Sequence, residues 1–315
     1  MNCKNSSSNA GLLLAGFLAL AVSFCQSCKK PGSLPDSGAQ ASTVLKPPRI
    51  ISLAPALTEL LYALGLGEQV LAVSNYCQYP PEVNSLPRVG ALLDPNLEAI
   101  LRLQPDYVLL YAKQAALAEQ LRRLGLRPLL MPGNKLADIY ESIELLGQSF
   151  EQQEQAQSLL TNMRQRFARL QGSRPVNISS PGVLLVVWRE RGLGTLKNIS
   201  VAGNDGFYSE MLQAIGAKLL PADTKLEYPS LGPESILLLN PDIIIEIAPE
   251  LAAKEPAALQ NAKDDWRRLP ELKAYQNKNI YILTDDFMAL PSARCIMAAE
   301  KLAETIAQAQ AQAAP

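Results

Sequence analysis

Residues 96–110 read NLEAILRLQPDYVLL, and residues 232–246 read GPESILLLNPDIIIE. Both stretches place a glutamate, an Ile-Leu pair and a Pro-Asp pair at the same spacing, followed by an apolar run. Proline does not continue a helix, and a short apolar run between breakers is typical of a buried strand. Each stretch therefore predicts a short helix that ends before the proline and is followed by a buried strand. The same helix–strand unit thus occurs twice in the chain.

The rest of the folded region continues this alternation. Short apolar runs alternate with helical patterns that end at glycine, as at Gly125. This order is typical of an α/β layer fold with mainly parallel sheets. The predicted strands are 49–53, 70–73, 107–111, 127–131, 183–188, 243–247 and 280–283, and the predicted helices are 58–64, 97–103, 115–124, 207–215, 233–239 and 292–309.

A long helix is predicted between the two halves, because residues 150–171 contain neither proline nor glycine. Its apolar residues share one stripe at helical spacing. They are Ala156, Leu159, Leu160, Met163, Phe167 and Leu170. By this pattern alone the helix is either a rigid strut between two α/β regions or a covering helix of a single domain.

The totals exclude several classes of function. The chain has 315 residues, a formal net charge of −1 and no histidine. This length favours about two domains, and the charge argues against a nucleic-acid partner, which needs a basic face. Without histidine there is no Ser-His-Asp triad, Cys-His dyad or H-E-x-x-H zinc site. The lack of imidazole also argues against a receptor for a bare transition metal, and we expect no metal site.

The N-terminus has the pattern of an export signal. Residues 10–24 are almost wholly apolar, which is too short for a comfortable membrane span, and small residues follow. The alternative is a buried N-terminal helix. A cysteine after the apolar core resembles the lipid-attachment site of bacterial lipoproteins. Cys28 follows a small residue and is preferred, with Cys25 as the alternative. We predict a signal peptide at 1–27 and a flexible tether at 28–47.

Two cysteines remain beyond the tether, Cys77 and Cys295. They are either a pair of buried free thiols or a disulfide formed in an oxidising compartment. Sequence spacing does not decide between these alternatives.

A glutamate occupies the same place in both repeated stretches, as Glu98 and Glu234. Asn96 is suited to cap the first helix, and Pro233 suits the first position of the second. A carboxylate in a first helical turn is favoured by the helix dipole by about 0.3–1 kcal/mol. The alternative is a matched pair of acidic side chains, one per lobe, aimed at a symmetric partner.

Two longer stretches support a family resemblance. Residues 49–83 read RIISLAPALTELLYALGLGEQVLAVSNYCQYPPEV, and residues 87–110 read PRVGALLDPNLEAILRLQPDYVLL. They resemble the periplasmic cobalamin-binding proteins of bacterial ABC importers. These belong to a wider group of receptors for iron-siderophores, haem and cobalamin that share a helical backbone. The similarity extends over roughly 48–309.

The resemblance implies two α/β lobes, with mainly parallel sheets, joined by one long backbone helix, with the ligand in the cleft between them. The lobes would be 48–149 and 173–315, and the linking helix 150–172. It also implies a lipid-anchored monomer of the periplasm or cell envelope. This monomer would dock on an ABC permease dimer through Glu98 and Glu234.

The resemblance also implies a set of cleft residues. The ligand-binding candidates are Pro55, Ala56, Tyr76, Leu92, Trp188, Tyr228 and Phe287. Leu92 and Phe287 depart from the family, which has an aromatic residue and often tryptophan at these positions. Aromatic and aliphatic side chains suit the broad apolar face of a macrocycle, and plain core packing is the alternative for each aromatic. Arg294 is a further candidate, either for polar groups of the ligand or for a helix start.

The predicted function is therefore capture of cobalamin or a related corrinoid for import. No bond is made or broken in such a capture, so no catalytic residue is needed. No cofactor is needed either, since the corrinoid is cargo. An iron-siderophore or haem is the alternative ligand, although haem without histidine needs tyrosine or methionine ligation. Two other classes are an exported α/β enzyme and a ligand-free structural protein of the envelope. The enzyme rests on 65–67 and 192–194, which read GLG but lack the full spacing of a nucleotide loop.

Overall fold

The computed structural model describes residues 46–133, 135–172 and 180–313. The predicted signal peptide at 1–27, with Cys25 and Cys28, and residues 28–45 of the predicted tether lie outside these ranges. None of the helices within them is long and apolar enough to cross a membrane.

The first lobe is built on a parallel sheet with the strand order β2-β1-β3-β4. Its strands have buried apolar side chains on both faces, as parallel strands covered by helices require. The elements are β1 Ile50–Ser52, α1 Pro55–Ala63, β2 Val70–Val73, α2 Leu97–Leu103, β3 Tyr107–Tyr111, α3 Ala115–Arg123 and β4 Pro128–Met131.

Two helices lead out of the first lobe, α4 Leu136–Ser149 and α5 Gln153–Gly172. The apolar stripe of α5 is confirmed, since Ala156, Leu160, Met163 and Phe167 are buried. The predicted start at residue 150 is wrong by three positions. Phe150 ends α4, with its ring at 5.3 Å from that of Tyr107, and Glu151 takes a left-handed φ of 56° that separates the two helices.

The second lobe has a sheet with the order β10-β9-β5-β6-β8, and β7 also pairs with β5. The pairs made by β6 are antiparallel and the others are parallel. The elements are β5 Gly182–Trp188, β6 Ile199–Val201, α6 Phe207–Ala214, β7 Lys218–Leu220, β8 Ser230–Leu231, α7 Pro233–Leu239, β9 Ile243–Ile247, α8 Pro256–Asp264, α9 Lys273–Gln276, β10 Ile280–Leu283 and α10 Cys295–Ala313.

The two sheets share a topology, which explains the repeated sequence. Strands β1, β3 and β4 occupy the same relative places as β5, β9 and β10, and α2 and α7 precede corresponding strands. Both helices end in a left-handed residue, Gln104 with φ 46° and Asn240 with φ 41°. The predicted bounds of α2, β3, α7 and β9 are confirmed.

The Pro-Asp pair has the same structural task in both lobes. The carboxylate of Asp106 accepts a hydrogen bond from the backbone N–H of Arg49, just before β1, at 2.8 Å. That of Asp242 accepts one from Gly182, at the start of β5, also at 2.8 Å. Each aspartate therefore ties its own strand to the beginning of the neighbouring strand.

The buried side chains form a continuous core on one face of both sheets, and α1, α4, α5, α6 and α10 contribute to it. The opposite faces are separate cores, one under α2 and α3 and one under α7 and α9. Arg166 of α5 forms a two-point ion pair with Glu300 of α10, at 2.8 and 2.6 Å. The fold class of two α/β lobes joined by a backbone helix is confirmed.

Several short elements of the second lobe have no counterpart among the predicted ones: β6, β7, β8, α8 and α9. The strands are only two or three residues long and therefore leave no periodic pattern. The alternatives for the cysteines are settled, because Cys77 and Cys295 are both free and buried. The Sγ atom of Cys77 lies 3.2 Å from the Thr58 hydroxyl and 3.3 Å from that of Ser74.

Candidate functional site

The carboxyl ends of the parallel strands define the candidate cleft. In open α/β sheets, ligands bind outside this edge. Glu59 lies on α1, which follows β1, and Arg294 lies in the segment between β10 and α10. Their side chains are paired, so the carboxyl edge of one lobe faces that of the other.

This pair is part of an interlobe clasp, which we define as Glu59, Asp286, Ser292 and Arg294. Glu59 accepts hydrogen bonds from Arg294 Nε at 2.9 Å, Arg294 Nη2 at 2.5 Å and the Ser292 hydroxyl at 2.5 Å. Asp286 accepts two more from the same guanidinium, at 2.9 and 3.0 Å. The guanidinium of Arg294 also lies over the ring of Tyr79, with its Cζ atom 3.7 Å from the ring centre.

The clasp changes the expected role of Arg294. Four of its N–H contacts are taken by two carboxylates, and these also neutralise its charge. The side chain is therefore engaged in holding the lobes together, and a ligand would have to displace a carboxylate to use it.

Two tyrosines approach each other from opposite lobes. Tyr111 is the last residue of β3 and is almost fully buried. Burial raises its pKa well above the usual value, and the negative charge of Glu59 raises it further. Burial likewise raises the pKa of Tyr228, with contributions from Glu227 and then from Tyr111. Both phenols thus stay protonated at neutral pH, and the Tyr228 hydroxyl is already hydrogen-bonded to the Glu227 carboxylate.

The aromatic candidates include the exposed ones that a ligand would need. Tyr76, Trp188 and Tyr228 are 67%, 53% and 42% exposed. Trp188 ends β5, at the carboxyl edge. Phe287 is partly buried against the core, and its ring centre lies 5.9 Å from the Arg294 guanidinium. This places it beside the clasp.

The aliphatic candidates contribute less side-chain surface. Pro55 is the first residue of α1 and is half-buried, whereas Ala56 is buried in the core. Leu92 lines a groove of about 470 Å³ between its own loop and α3. Gln114 holds that loop, since its amide donates to the Leu92 carbonyl at 2.7 Å and accepts from the Tyr111 N–H at 3.0 Å.

The predicted docking glutamates are both exposed. A helix that joins two parallel strands runs back against them and begins at their carboxyl edge. Glu98 and Glu234 lie in the first turns of α2 and α7, so each is at the cleft-side edge of its lobe. Asn96 caps α2 as predicted, accepting from the Ala99 N–H at 2.9 Å.

The two glutamates differ in their neighbours. Glu98 pairs with Arg102 one turn later, at 2.7 Å. The matching position in α7 is Leu238, which is among the most exposed apolar side chains of the described residues. No cation of the described ranges forms an ion pair with Glu234. The second tip therefore presents an unpaired acid beside an apolar side chain.

The geometry agrees with a clear match to known proteins. Residues 50–287 match the family of periplasmic binding proteins. The chain belongs to this family.

Three related proteins illustrate how similar this chain is to known binding proteins. An ABC transporter substrate-binding lipoprotein of Bacillus subtilis is 30% identical over 285 residues, covering 88% of this chain and 85% of that protein. The vitamin B12 binding protein BtuF of Vibrio cholerae is 29% identical, with a TM-score of 0.68, covering 83% of this chain and 97% of that one. The heme binding protein HutB of Vibrio cholerae is 26% identical, with a TM-score of 0.68, covering 82% and 98%.

Membership of the periplasmic binding protein family determines the coarse function. The chain is a substrate-binding protein of an ABC importer and acts in the periplasm or cell envelope. The family consists of binding proteins and not of enzymes. Within the described residues, His, Cys, Asp and Glu form no group of three or more that could hold a metal ion.

Sequence reasoning missed several residues of the site. Glu59 fits an ordinary helical pattern, and nothing local marks it as the buried acid of a clasp. Tyr79 lies in the stretch 76–81, which reads YCQYPP and offers a usable signal, and Tyr111 is the last residue of a predicted strand. Their roles depend on contacts between the two lobes, which periodicity does not report.

Proposed function

We propose that this protein captures cobalamin or a related corrinoid in the cleft between its lobes and delivers it to an ABC importer. The observation that carries this proposal is the set of exposed aromatic side chains at the cleft, Tyr76, Trp188 and Tyr228. A corrinoid presents a broad macrocycle with amide groups around its rim. Aromatic faces suit the macrocycle, and a few polar side chains are enough to fix its orientation.

Charge disfavours an anionic siderophore. The arginine of the cleft, Arg294, is neutralised by Glu59 and Asp286. An anionic ligand would meet a carboxylate-rich clasp without a surplus positive charge. A neutral or weakly charged macrocycle does not meet this penalty.

Haem is the second candidate, because a heme binding protein is among the related structures. The chain has no histidine, so methionine or tyrosine would have to bind the iron, and tyrosine would do so as its phenolate. Burial raises the pKa of Tyr111 and of Tyr228, which disfavours the phenolate that such a bond needs. Tyr76 is exposed and is therefore the phenol best placed to test haem.

The ligand test uses the purified full chain with cobalamin, haemin and a ferric siderophore. We expect calorimetry to give a dissociation constant for cobalamin below about 1 μM. Trp188→Ala should weaken binding at least about tenfold, because a stacked aromatic face is lost. The absence of heat and of a spectral change with cobalamin would contradict the proposal.

Tyr76→Phe separates the two ligands, because it removes the phenol oxygen and keeps the ring. Cobalamin binding should fall less than about threefold if the ring supplies most of the contact. If haem is the ligand, the same change should abolish the ferric tyrosinate absorption. Retention of that absorption in Tyr76→Phe would exclude Tyr76 as the ligand of the iron.

For docking, we propose that Glu98 and Glu234 meet cationic side chains of the permease dimer. The Glu98–Arg102 pair is exposed and is worth only about 0.3–0.5 kcal/mol, so a partner's arginine can replace it. Such charges set orientation and association rate more than affinity. The double change of Glu98→Arg with Glu234→Arg should abolish transport and leave ligand binding intact.

The matched control for docking reverses two exposed acids elsewhere, Glu119 on α3 and Glu271 near α9. Glu119→Arg with Glu271→Arg should retain transport. Equal loss in both double variants would show that charge reversal acts non-specifically. Loss of ligand binding in the first variant would mean that the two acids support the lobes instead.

We also propose that residues 1–27 are removed as an export signal and that Cys28 is then acylated, with Cys25 as the alternative. The relative from Bacillus subtilis that is named a lipoprotein supports this proposal. Labelled fatty acid should be incorporated by the wild-type chain and by Cys25→Ala but not by Cys28→Ala. Incorporation lost only in Cys25→Ala would transfer the site to that cysteine.

A further inference from the structure

The segment that follows β5 combines apolar exposure with a tightly held backbone. We call residues 188–194 the β5 loop. It carries Trp188 at one end and Leu193 near the other, and these side chains are 53% and 63% exposed. Leu193 stands between two left-handed glycines, Gly192 with φ 76° and Gly194 with φ 66°. This backbone turns the leucine outward.

Asp265 fastens the outer half of the loop. Its Oδ2 atom accepts the N–H of Gly192 at 2.7 Å, and its Oδ1 atom accepts that of Gly194 at 2.6 Å. Both backbone donors on either side of Leu193 therefore end on one carboxylate. Asp265 is buried, so water does not compete for these bonds.

Arg189 fastens the inner half, directly after Trp188. Its guanidinium donates to Asp265 Oδ2 at 2.7 Å and to Glu246 Oε1 at 2.7 and 3.1 Å. It also donates to the carbonyl oxygens of Glu190 and Ala262, at 2.8 and 2.7 Å. The side chain of Arg189, the residue next to Trp188, is thus held by four hydrogen-bond partners.

A second arginine completes the network from the same loop. Arg191 donates to Glu246 Oε2 at 2.8 Å, to Glu250 Oε1 at 2.6 Å and to the Ile247 carbonyl at 2.9 Å. Trp266 donates its indole N–H to Glu246 Oε1 at 2.5 Å. We call Arg189, Arg191, Glu246, Asp265 and Trp266 the buried charge network.

Stability alone is a poor reason for this arrangement. Burying ion pairs costs so much desolvation that well-packed apolar residues often serve equally well. The network instead restricts the conformational freedom of the β5 loop. Asp265 binds backbone N–H groups of the loop, and Arg189 and Arg191 tie it to β9 and to the segment around Asp265. Because β5 pairs with β9 and β9 with β10, the loop leaves the same sheet edge as the clasp segment.

We propose that Asp265 is a positioning residue for ligand binding, which holds the β5 loop so that Trp188 and Leu193 form a rigid apolar wall of the cleft. The occupant of this wall is the flat apolar face of the macrocycle, so the inference rests on the proposed function. A preorganised wall costs little ordering entropy when the ligand binds. Asp265 itself does not contact the ligand.

The test is a double-mutant cycle on the full chain with cobalamin as the probe. Asp265→Asn should weaken binding about tenfold or more, because the amide oxygen can accept only one of the two loop N–H groups and the amide nitrogen cannot accept the other. In a Trp188→Ala, Leu193→Ala background the same change should cost less than about twofold, since the wall it positions is absent. Glu271→Gln makes the same carboxylate-to-amide change on an exposed side chain outside the loop and should leave the affinity unaltered.

A spectroscopic readout separates positioning from general loss of stability. The emission of Trp188 is isolated by subtracting the spectrum of Trp188→Phe, which leaves Trp266 untouched. In the Asp265→Asn background, acrylamide should quench this isolated Trp188 emission more strongly than in the wild-type chain. Equal quenching with and without Asp265 would overturn the inference even if the affinity falls.

The remaining outcomes are also decisive. An equal loss of affinity in both backgrounds would overturn the inference, because Asp265 would then act through the whole lobe. If Asp265→Asn does not fold, the surface change Leu193→Ala decides, and unaltered affinity for cobalamin would overturn the wall. Normal affinity with impaired transport in Leu193→Ala would mean that the wall contacts the permease, and this would also overturn the inference.

A wild-type chain that binds no corrinoid would overturn the proposed function. The quenching experiment would then still test whether Asp265 positions Trp188.

Discussion

The interlobe clasp provides the sharpest test of how the two lobes are held. The Glu59 and Arg294 side chains are only 3% and 12% exposed, so this is a buried ion pair. Arg294→Met keeps the aliphatic stem on Tyr79 and removes the charge. Of the hydrogen-bond donors among the described residues, Glu59 then retains only the Ser292 hydroxyl. Removing one partner of a buried pair costs about 3–5 kcal/mol.

That cost should be visible as a fall in melting temperature. At about 2–4 °C per kcal/mol for chains of this order, the expected fall is about 6–20 °C. Urea unfolding followed by circular dichroism should show the matching decrease in the free energy of unfolding. Hydrogen exchange at the backbone of α1 and in the segment before α10 should rise together, since the pair joins them.

Two further variants make the clasp experiment decisive. Asp286→Asn removes a carboxylate that is 53% exposed, and should cost no more than about 1 kcal/mol. Combining Glu59→Gln with Arg294→Met removes both charges, so it should be more stable than Arg294→Met alone. A loss in Arg294→Met no larger than in Asp286→Asn would refute the idea that this pair is a desolvated clasp.

Three smaller predictions concern single contacts. Burial raises the pKa of Cys295 from 9.0 to about 12, so the unfolded thiol loses its proton first. Stability should therefore fall as pH rises from about 9 towards about 12, and Cys295→Ala should lessen that slope in urea titrations. Asn96→Ala removes the α2 cap and should cost about 1 kcal/mol by thermal unfolding, whereas Asn96→Asp should be nearly neutral. Asp242→Ala should cost about 1–3 kcal/mol, because the Gly182 N–H loses its acceptor, and Asp242→Asn, whose amide oxygen still accepts, should cost less.

The repeated stretches show how much of the fold is written locally. The bounds of α2, β3, α7 and β9 follow from an apolar run, a proline and a cap. The predicted bounds of β2 and β10 are also confirmed, and these follow from their apolar runs alone. These features report the geometry of a few consecutive residues, and they are correct because the tertiary structure reinforces each local preference.

Prediction was weaker where the tertiary structure decides the local path. Residues 150–152 have helix-compatible composition, yet Glu151 turns left-handed so that α5 can pack back on α4. At this crossing a Cβ on Gly147 would lie 2.6 Å from the Ala156 side chain. The close approach of two helices decided the break, and none of residues 150–152 signals it in the sequence.

The sequence by itself determined the α/β alternation, the duplicated unit and the two acids at the starts of α2 and α7. Only the tertiary structure decided which charges meet: Glu59 pairs with Arg294 across 235 positions, and Asp265 holds the glycines of a loop more than 70 positions earlier. Helical and strand patterns depend on the next few residues, so they are legible in the chain. The partner of a buried charge depends on where the whole backbone brings its segments together, and on the desolvation that makes such a partner necessary.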